Sequence, residues 1–83
     1  MRAPPVLALS VLLALGSVAA RADDKAACAE GIAMIRAELD RPAPEAVRPQ
    51  LKKALRVAER EMGEGEFDEC LDAVGDAKRA LKP

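Results

Sequence analysis

A mostly apolar run from Val6 to Ala20 lies near the start of this chain, after Arg2 and before the triplet Ala20-Arg21-Ala22. A positive end, an apolar stretch and an A-x-A site are together typical of a secretory signal peptide. We expect cleavage after Ala22, with a cut after Ala20 as the alternative. As a helix the run would rise only about 22 Å against a hydrocarbon core of about 30 Å, which disfavours a retained membrane anchor. Residues 1–22 are therefore predicted to be a signal peptide, and 23–83 one small domain.

The predicted mature region contains almost none of the side chains that enzymes use. Both serines of the chain, Ser10 and Ser17, lie in the leader, and residues 23–83 contain no Ser, Thr, Tyr, His, Trp or Asn. Hydroxyl nucleophiles and imidazole acid–base catalysis are therefore excluded. Two or three short helices rarely enclose the cleft that a pair of catalytic carboxylates needs. We expect a protein that is not an enzyme and has no cofactor.

Charge and aromatic content exclude a further class of function. The chain has 13 Lys and Arg against 14 Asp and Glu, and the mature region, which loses Arg2 and Arg21, carries a net charge of −3. A nucleic-acid binder needs a basic surface for phosphates and aromatic side chains for stacking on bases. With one Phe and no Tyr or Trp, we expect no nucleic-acid partner.

Residue spacing in the mature region is helical throughout and predicts an all-α protein. A first helix is expected over about 24–39, with Asp23 or Asp24 as its cap and a stop at the prolines of residues 42 and 44. A second begins between residues 45 and 49 and continues to residue 62, where Gly63 ends it. A third covers about 66–81. Short links favour a small up-down-up bundle, with a helical hairpin over 46–81 packed on helix 24–39.

Apolar residues recur at spacings of three and four along each predicted helix, which defines an inner face. The inner-face residues are Cys28, Ile32, Ile35 and Leu39 in the first helix; Val47, Leu51, Ala54, Leu55, Ala58 and Met62 in the second; and Phe67, Cys70, Leu71, Val74, Ala77 and Leu81 in the third. Gly31 lies at the edge of the first stripe. It either permits a close helix approach or is tolerated in an exposed turn, and the sequence leaves both open.

The two cysteines are predicted to form a disulfide. Cys28 and Cys70 each lie about four residues into helices that point the same way, so they are level and both inward. An exported chain with two cysteines also favours pairing by compartment. Their spacing does not match a C-x-x-C redox site, and a zinc site would need four soft ligands.

A basic stripe on the second helix is the first candidate binding surface. Arg48, Lys52, Arg56 and Arg60 repeat every four residues, with Lys53 beside them. The stripe could dock an acidic partner. The alternative is that it is solvated, or pairs with acids of the third helix such as Asp68, Asp72 and Asp76.

An acidic turn over residues 61–69 is the second candidate. Oxygen ligands on a glycine-containing loop suit Ca²⁺, which makes Glu61, Glu64, Glu66 and Asp68 a weak candidate cation site. Their spacing does not match an EF-hand loop, and acids at a helix start are also favoured by the helix dipole.

Several residues of the second and third helices resemble a tetratricopeptide-type hairpin. They are Leu55, Ala58, Gly65, Phe67, Cys70, Leu71, Ala77 and Leu81. The resemblance covers about a third of the chain, without a second copy at the period of 34 residues. It implies a style of helix packing and no ligand.

These patterns favour a small exported protein, periplasmic or secreted, that acts as a protein-interaction or accessory module. An unknown protein partner is expected, and homo-oligomerisation is left open. One alternative is an envelope acid or stress chaperone, since protonation of all 14 carboxylates would move the mature charge from −3 to +11. Another is a divalent-cation binder acting through the acidic turn.

Overall fold

The computed structural model describes the backbone of residues 3–42 and 44–82, and the side chains of those residues from residue 20 onward. Three helices follow one another: α1 (Ala3–Asp40), α2 (Arg48–Gly63) and α3 (Phe67–Leu81). Helices α2 and α3 form an antiparallel hairpin, and α1 packs against both of them. The predicted up-down-up, all-helical fold is confirmed.

Helix α1 begins at Ala3 rather than at the predicted position near Asp24. The expected cap at Asp23 or Asp24 is wrong, because both residues lie inside a continuous helix. The predicted leader is rich in Ala and Leu, which have the highest helix propensities. A helix that continues through residue 24 leaves no free backbone N–H there for a side chain to cap.

Pro44 and Pro49 shape the connection from α1 to α2. Pro44 O accepts hydrogen bonds from the backbone N–H groups of Val47 at 3.0 Å and Arg48 at 3.2 Å, which forms the turn that leads into α2. Pro49 occupies the first turn of α2, where its missing N–H is not needed. The helix therefore begins within the predicted range.

Helix α2 ends at Gly63, one residue later than expected, and the residue that turns the chain is Gly65 rather than Gly63. Gly65 has φ of 76°, in the left-handed region that favours glycine. The N–H of Glu66 donates to Glu61 O at 2.9 Å and that of Gly65 to Met62 O at 3.1 Å. This pair of bonds is a Schellman motif, which satisfies the last carbonyls of α2 and directs the chain into α3.

The core is small and rich in small side chains. Its members come from all three helices: Cys28, Ile32, Ile35, Leu51, Ala54, Ala58, Cys70, Ala73, Val74 and Ala77. Nine of them were predicted to face inward, and Ala73 is an addition. The other predicted inner-face residues, such as Leu39, Val47 and Phe67, are half-buried around this core. With four alanines among ten core residues, the helix axes can approach closely.

Candidate functional site

The disulfide joins α1 to α3 at one end of the bundle. Cys28 and Cys70 are fully buried, their Cα atoms lie 5.8 Å apart, and the bond closes a sequence separation of 42 residues. The predicted pairing is confirmed. Because both cysteines of the chain are paired, neither supplies a free thiolate for redox or metal chemistry.

One turn along from the disulfide, α1 and α3 are in close contact at Gly31. Gly31 is buried, and a Cβ atom placed on it would lie 2.5 Å from both Cγ atoms of Val74. Contacts that short do not occur between carbon atoms in folded proteins. Of the two interpretations that the sequence left open, the close helix approach is therefore the correct one.

The predicted basic stripe is divided by the fold into parts with different roles. Arg48 is half-buried, and its Nη1 donates to Leu39 O at 3.1 Å and to Arg41 O at 3.4 Å. It thus satisfies carbonyls at the C-terminal end of α1, where a cation is also favoured by the helix dipole. Arg60 lies with its Nε 3.5 Å from Glu61 Oε1. Lys52 and Arg56 are exposed on the outer face of α2.

The acids of α3 are not the partners of this stripe. Among the residues whose side chains the structure describes, the ion pairs within 4.0 Å are Arg36–Glu59, Arg41–Glu38, Arg60–Glu61 and Arg79–Asp76. None of them connects the stripe to Asp68, Asp72 or Asp76. The outer face of α2 therefore remains a basic surface after folding.

From residue 20 onward, where the structure describes side chains, little apolar surface is left exposed for a partner to bind. Every Val, Leu, Ile, Met and Phe from residue 20 onward is buried or half-buried. Met34, which lies outside the main stripe, packs against the core. Val57 also touches the core, and it lines a groove of about 250 Å³ between α2 and α3 together with Gln50, Lys53, Ala54, Ala73 and Asp76.

The candidate cation residues do not converge on one point. Glu64, Glu66 and Asp68 line a shallow concavity of about 380 Å³ at the turn, where they are joined by Arg21 and Asp24. Glu61 is buried and faces α3 instead. Across the described part of the chain, no group of three or more Asp, Glu, His or Cys side chains is close enough to share a metal ion.

Arg21, near the end of the predicted leader, also lines this concavity. Its guanidinium carbon lies 6.0 Å from the centre of the Phe67 ring, and its Nη2 donates to Gly65 O at 3.4 Å. The predicted cut after Ala22 would remove these contacts, whereas the alternative cut after Ala20 would leave Arg21 as the first residue. The Arg21 side chain is exposed, so the first cut would remove little packing from the bundle.

Glu61 is the one charged residue in the described part of the chain that is buried, at 7% exposure. The carboxyl of Glu69, on α3, lies within hydrogen-bonding reach of it, and this contact raises the pKa of Glu69 above its ordinary value. The charges of Glu61, Glu66 and Asp68 act in the same direction. When both carboxyls are ionised neither can donate, and Glu61 Oε2 has no hydrogen-bond partner among the described residues. The proximity of Glu61 therefore favours the protonated form of Glu69 and raises its pKa.

Sequence reasoning missed the burial of Glu61, although a signal for it exists. Glu61 follows Ala54 and Ala58 at spacings of four and three, which places it on the inner face of α2. The acidic residues next to it in sequence favour the acidic turn instead, and this hides the inner-face spacing.

No protein-family model matches the chain, and the search of curated proteins finds no match to its sequence. Among the helices as far as they are described, none is long and apolar enough to cross a membrane.

Proposed function

We propose that this chain is an exported, non-enzymatic accessory module that binds an acidic protein partner through the outer face of α2. Lys52 and Arg56 make the central contacts, and Arg60 lies at the edge of the same surface. Arg48, the fourth member of the predicted stripe, fixes the end of α1 and does not take part.

One observation carries this proposal: Lys52 and Arg56 are exposed and adjacent on α2, while the large apolar side chains have been taken into the bundle. A partner that recognises this surface therefore does so mainly through charge. Such recognition gives fast association and specificity, and it weakens as salt concentration rises.

Export is supported by two independent features. The leader has the three parts of a signal peptide. The paired Cys28 and Cys70 are typical of proteins that fold in an oxidising compartment. We expect the periplasm or the extracellular space as the place where the module works.

The test compares two double charge reversals of the mature, oxidised protein. Lys52→Glu with Arg56→Glu reverses the proposed surface, and Lys25→Glu with Lys82→Glu makes the same change in net charge at exposed positions on α1 and just after α3. Each protein is immobilised and used to capture partners from an extract of its own cell envelope, with chemical cross-linking and mass spectrometry to locate the contact.

We expect a partner that cross-links beside α2, is retained by the control variant, and is lost both by the α2 variant and in high salt. Equal capture by the two variants, or cross-links confined to α1, would contradict the proposal.

A further inference from the structure

The groove between α2 and α3 has rims of opposite charge. Lys53 lines one wall and Asp76 the other, with Ala54, Val57 and Ala73 between them. Arg56 and Arg60 follow Lys53 at spacings of three and four residues, so they continue the same face of α2. We call Lys53, Arg56 and Arg60 the basic rim. All three side chains are exposed.

The opposite rim has the same spacing and the opposite sign. Glu69, Asp72 and Asp76 also follow one another at three and four residues, and all three are exposed on α3. We call them the acidic rim. Each rim thus presents three like charges within about two helical turns.

The antiparallel hairpin brings the two rims into register. Residues of α2 and α3 whose numbers add to about 130 are level, as the lining of the groove by Val57 with Ala73 and by Ala54 with Asp76 indicates. Lys53 is therefore level with Asp76, Arg56 with Asp72, and Arg60 with Glu69. The ion pairs of the described chain do not join these partners across the groove, because Asp76 pairs with Arg79 and Arg60 with Glu61.

We propose that this face docks a second copy of the chain. A two-fold axis that runs along the groove places α2 of one copy over α3 of the other, antiparallel to it and at the same height. The basic rim of each copy then meets the acidic rim of its partner, and the two apolar floors around Val57 face one another. Such a contact is isologous, so it closes at two copies.

Three features favour a second copy over an unrelated partner. The two rims match each other in sign, number and spacing, and a single chain carries both. Like charges would instead disfavour a two-fold axis that runs across the groove, because it places α2 over α2 and α3 over α3. The small apolar floor offers additional burial without an exposed patch that would cause aggregation.

The dimer rests on the proposed function, because its basic rim shares Arg56 and Arg60 with the surface proposed to bind an acidic protein. It uses Lys53 and the acidic rim in addition. Because exposed charge pairs contribute little individually, we expect a weak dimer that forms at high protein concentration and low salt. Its dissociation constant should rise steeply between about 0.01 M and 1 M NaCl, as the Debye length falls from about 30 to about 3 Å.

The decisive experiment uses two complementary charge reversals in the mature, oxidised protein, followed by sedimentation equilibrium. One variant carries Lys53→Glu with Arg56→Glu, and the other carries Asp72→Lys with Asp76→Lys. Each variant alone would place like charges opposite each other at two of the three levels, 53 with 76 and 56 with 72, and would leave opposite charges only where Arg60 meets Glu69. In an equal mixture, however, every contact again joins opposite charges. The Lys25→Glu with Lys82→Glu variant is the control for the change in net charge of the first variant.

We expect a wild-type dimer, monomers for each reversed variant alone, and a dimer when the two are mixed. A dilution series of the wild-type protein, followed by nuclear magnetic resonance, tests the dimer without any variant. We expect chemical shifts to change with protein concentration only for residues of the groove and its rims. A wild-type monomer at the highest concentration and lowest salt overturns the proposal, as does a mixture that stays monomeric or a dimer that both reversals leave intact. If the protein is monomeric but still captures a foreign acidic protein, the dimer is refuted and the proposed function is not.

Discussion

Replacement of Gly31 by Ala tests the closest helix contact of the bundle. The new methyl group would lie 2.5 Å from both Cγ atoms of Val74 and 3.0 Å from its Cβ. The contact cannot be relieved easily by separating α1 from α3. The disulfide between Cys28 and Cys70 holds the same two helices at a Cα distance of 5.8 Å about one turn away.

The expected magnitude follows from two opposing effects. Insertion of a methylene-sized group into a packed contact destabilises by about 1–3 kcal/mol. Alanine in place of glycine stabilises a helix interior by about 1 kcal/mol, which offsets part of that cost. Because contacts of 2.5 Å put the cost in the upper part of that range, at about 2–3 kcal/mol, we expect Gly31→Ala to lower the free energy of unfolding by about 1–2 kcal/mol. At about 4–8 °C per kcal/mol for a domain of this size, the melting temperature should fall by roughly 5–15 °C.

Two further variants make the measurement specific to the contact. Gly75→Ala changes a second helical glycine, but a Cβ there would meet only the Arg79 guanidinium, at 3.4 Å or more, and that side chain can move. This variant should be stabilised by about 1 kcal/mol. Adding Val74→Ala to Gly31→Ala removes the opposing methyl groups, so the double variant should lose less stability than the two single changes added together.

Thermal and urea unfolding of the mature, oxidised proteins, followed by far-UV circular dichroism, gives these free energies. A Gly31→Ala protein as stable as Gly75→Ala would refute the close approach of α1 and α3, and so would strict additivity with Val74→Ala.

Three further predictions concern the disulfide, the acid pair and Arg48. Reduction of the bond, or replacement of Cys28 and Cys70 by Ala, should cost about 4 kcal/mol, since it opens a loop of 42 residues; an unchanged melting temperature in reductant would contradict this. The raised pKa of Glu69 means that the folded state binds a proton more tightly than the unfolded chain, so its contribution to stability is complete below the ordinary value of 4.5 and is lost as pH rises through the raised pKa. Glu69→Gln should remove this pH dependence of the free energy of unfolding, and Glu64→Gln should leave it unchanged. An acid-activated chaperone would show the opposite trend, since its bundle would loosen on acidification. Arg48→Ala should lower the free energy of unfolding by about 1 kcal/mol, because it leaves carbonyls at the end of α1 unpaired; Arg56→Ala, on the outer face of the same helix, should change it little, and equal effects of the two would argue against the capping role.

Much of the fold follows from the sequence because helical spacing is a strong signal. The apolar spacing of residues 51–81 identified the faces of α2 and α3, and the level positions of Cys28 and Cys70 identified their bond. Two boundaries did not follow. The start of α1 did not follow, because the Ala- and Leu-rich residues before Asp23 continue the helix back to Ala3. The predicted end of α2 at Gly63 was wrong by one residue, because the left-handed conformation that turns the chain lies at Gly65.

The candidate surface was predictable in composition but not in geometry. Spacing by four placed Arg48, Lys52, Arg56 and Arg60 on one stripe, which drifts around the helix. Contact with the end of α1 separates Arg48 from the others, and that contact depends on where the loop carries α1. The burial of Glu61 likewise depends on how closely α3 packs. Such effects arise from pairs of elements, which periodicity within a single element does not specify.

Intact mass spectrometry of the protein purified from its own cells, with and without reduction before thiol alkylation, tests export and disulfide formation together. We expect the mass of residues 23–83, or 21–83 for the alternative cut, with no label before reduction and two labels after it, on Cys28 and Cys70. A chain that retains its first 20 residues, or that is labelled on both cysteines without reductant, would rule out an exported bundle held by this disulfide.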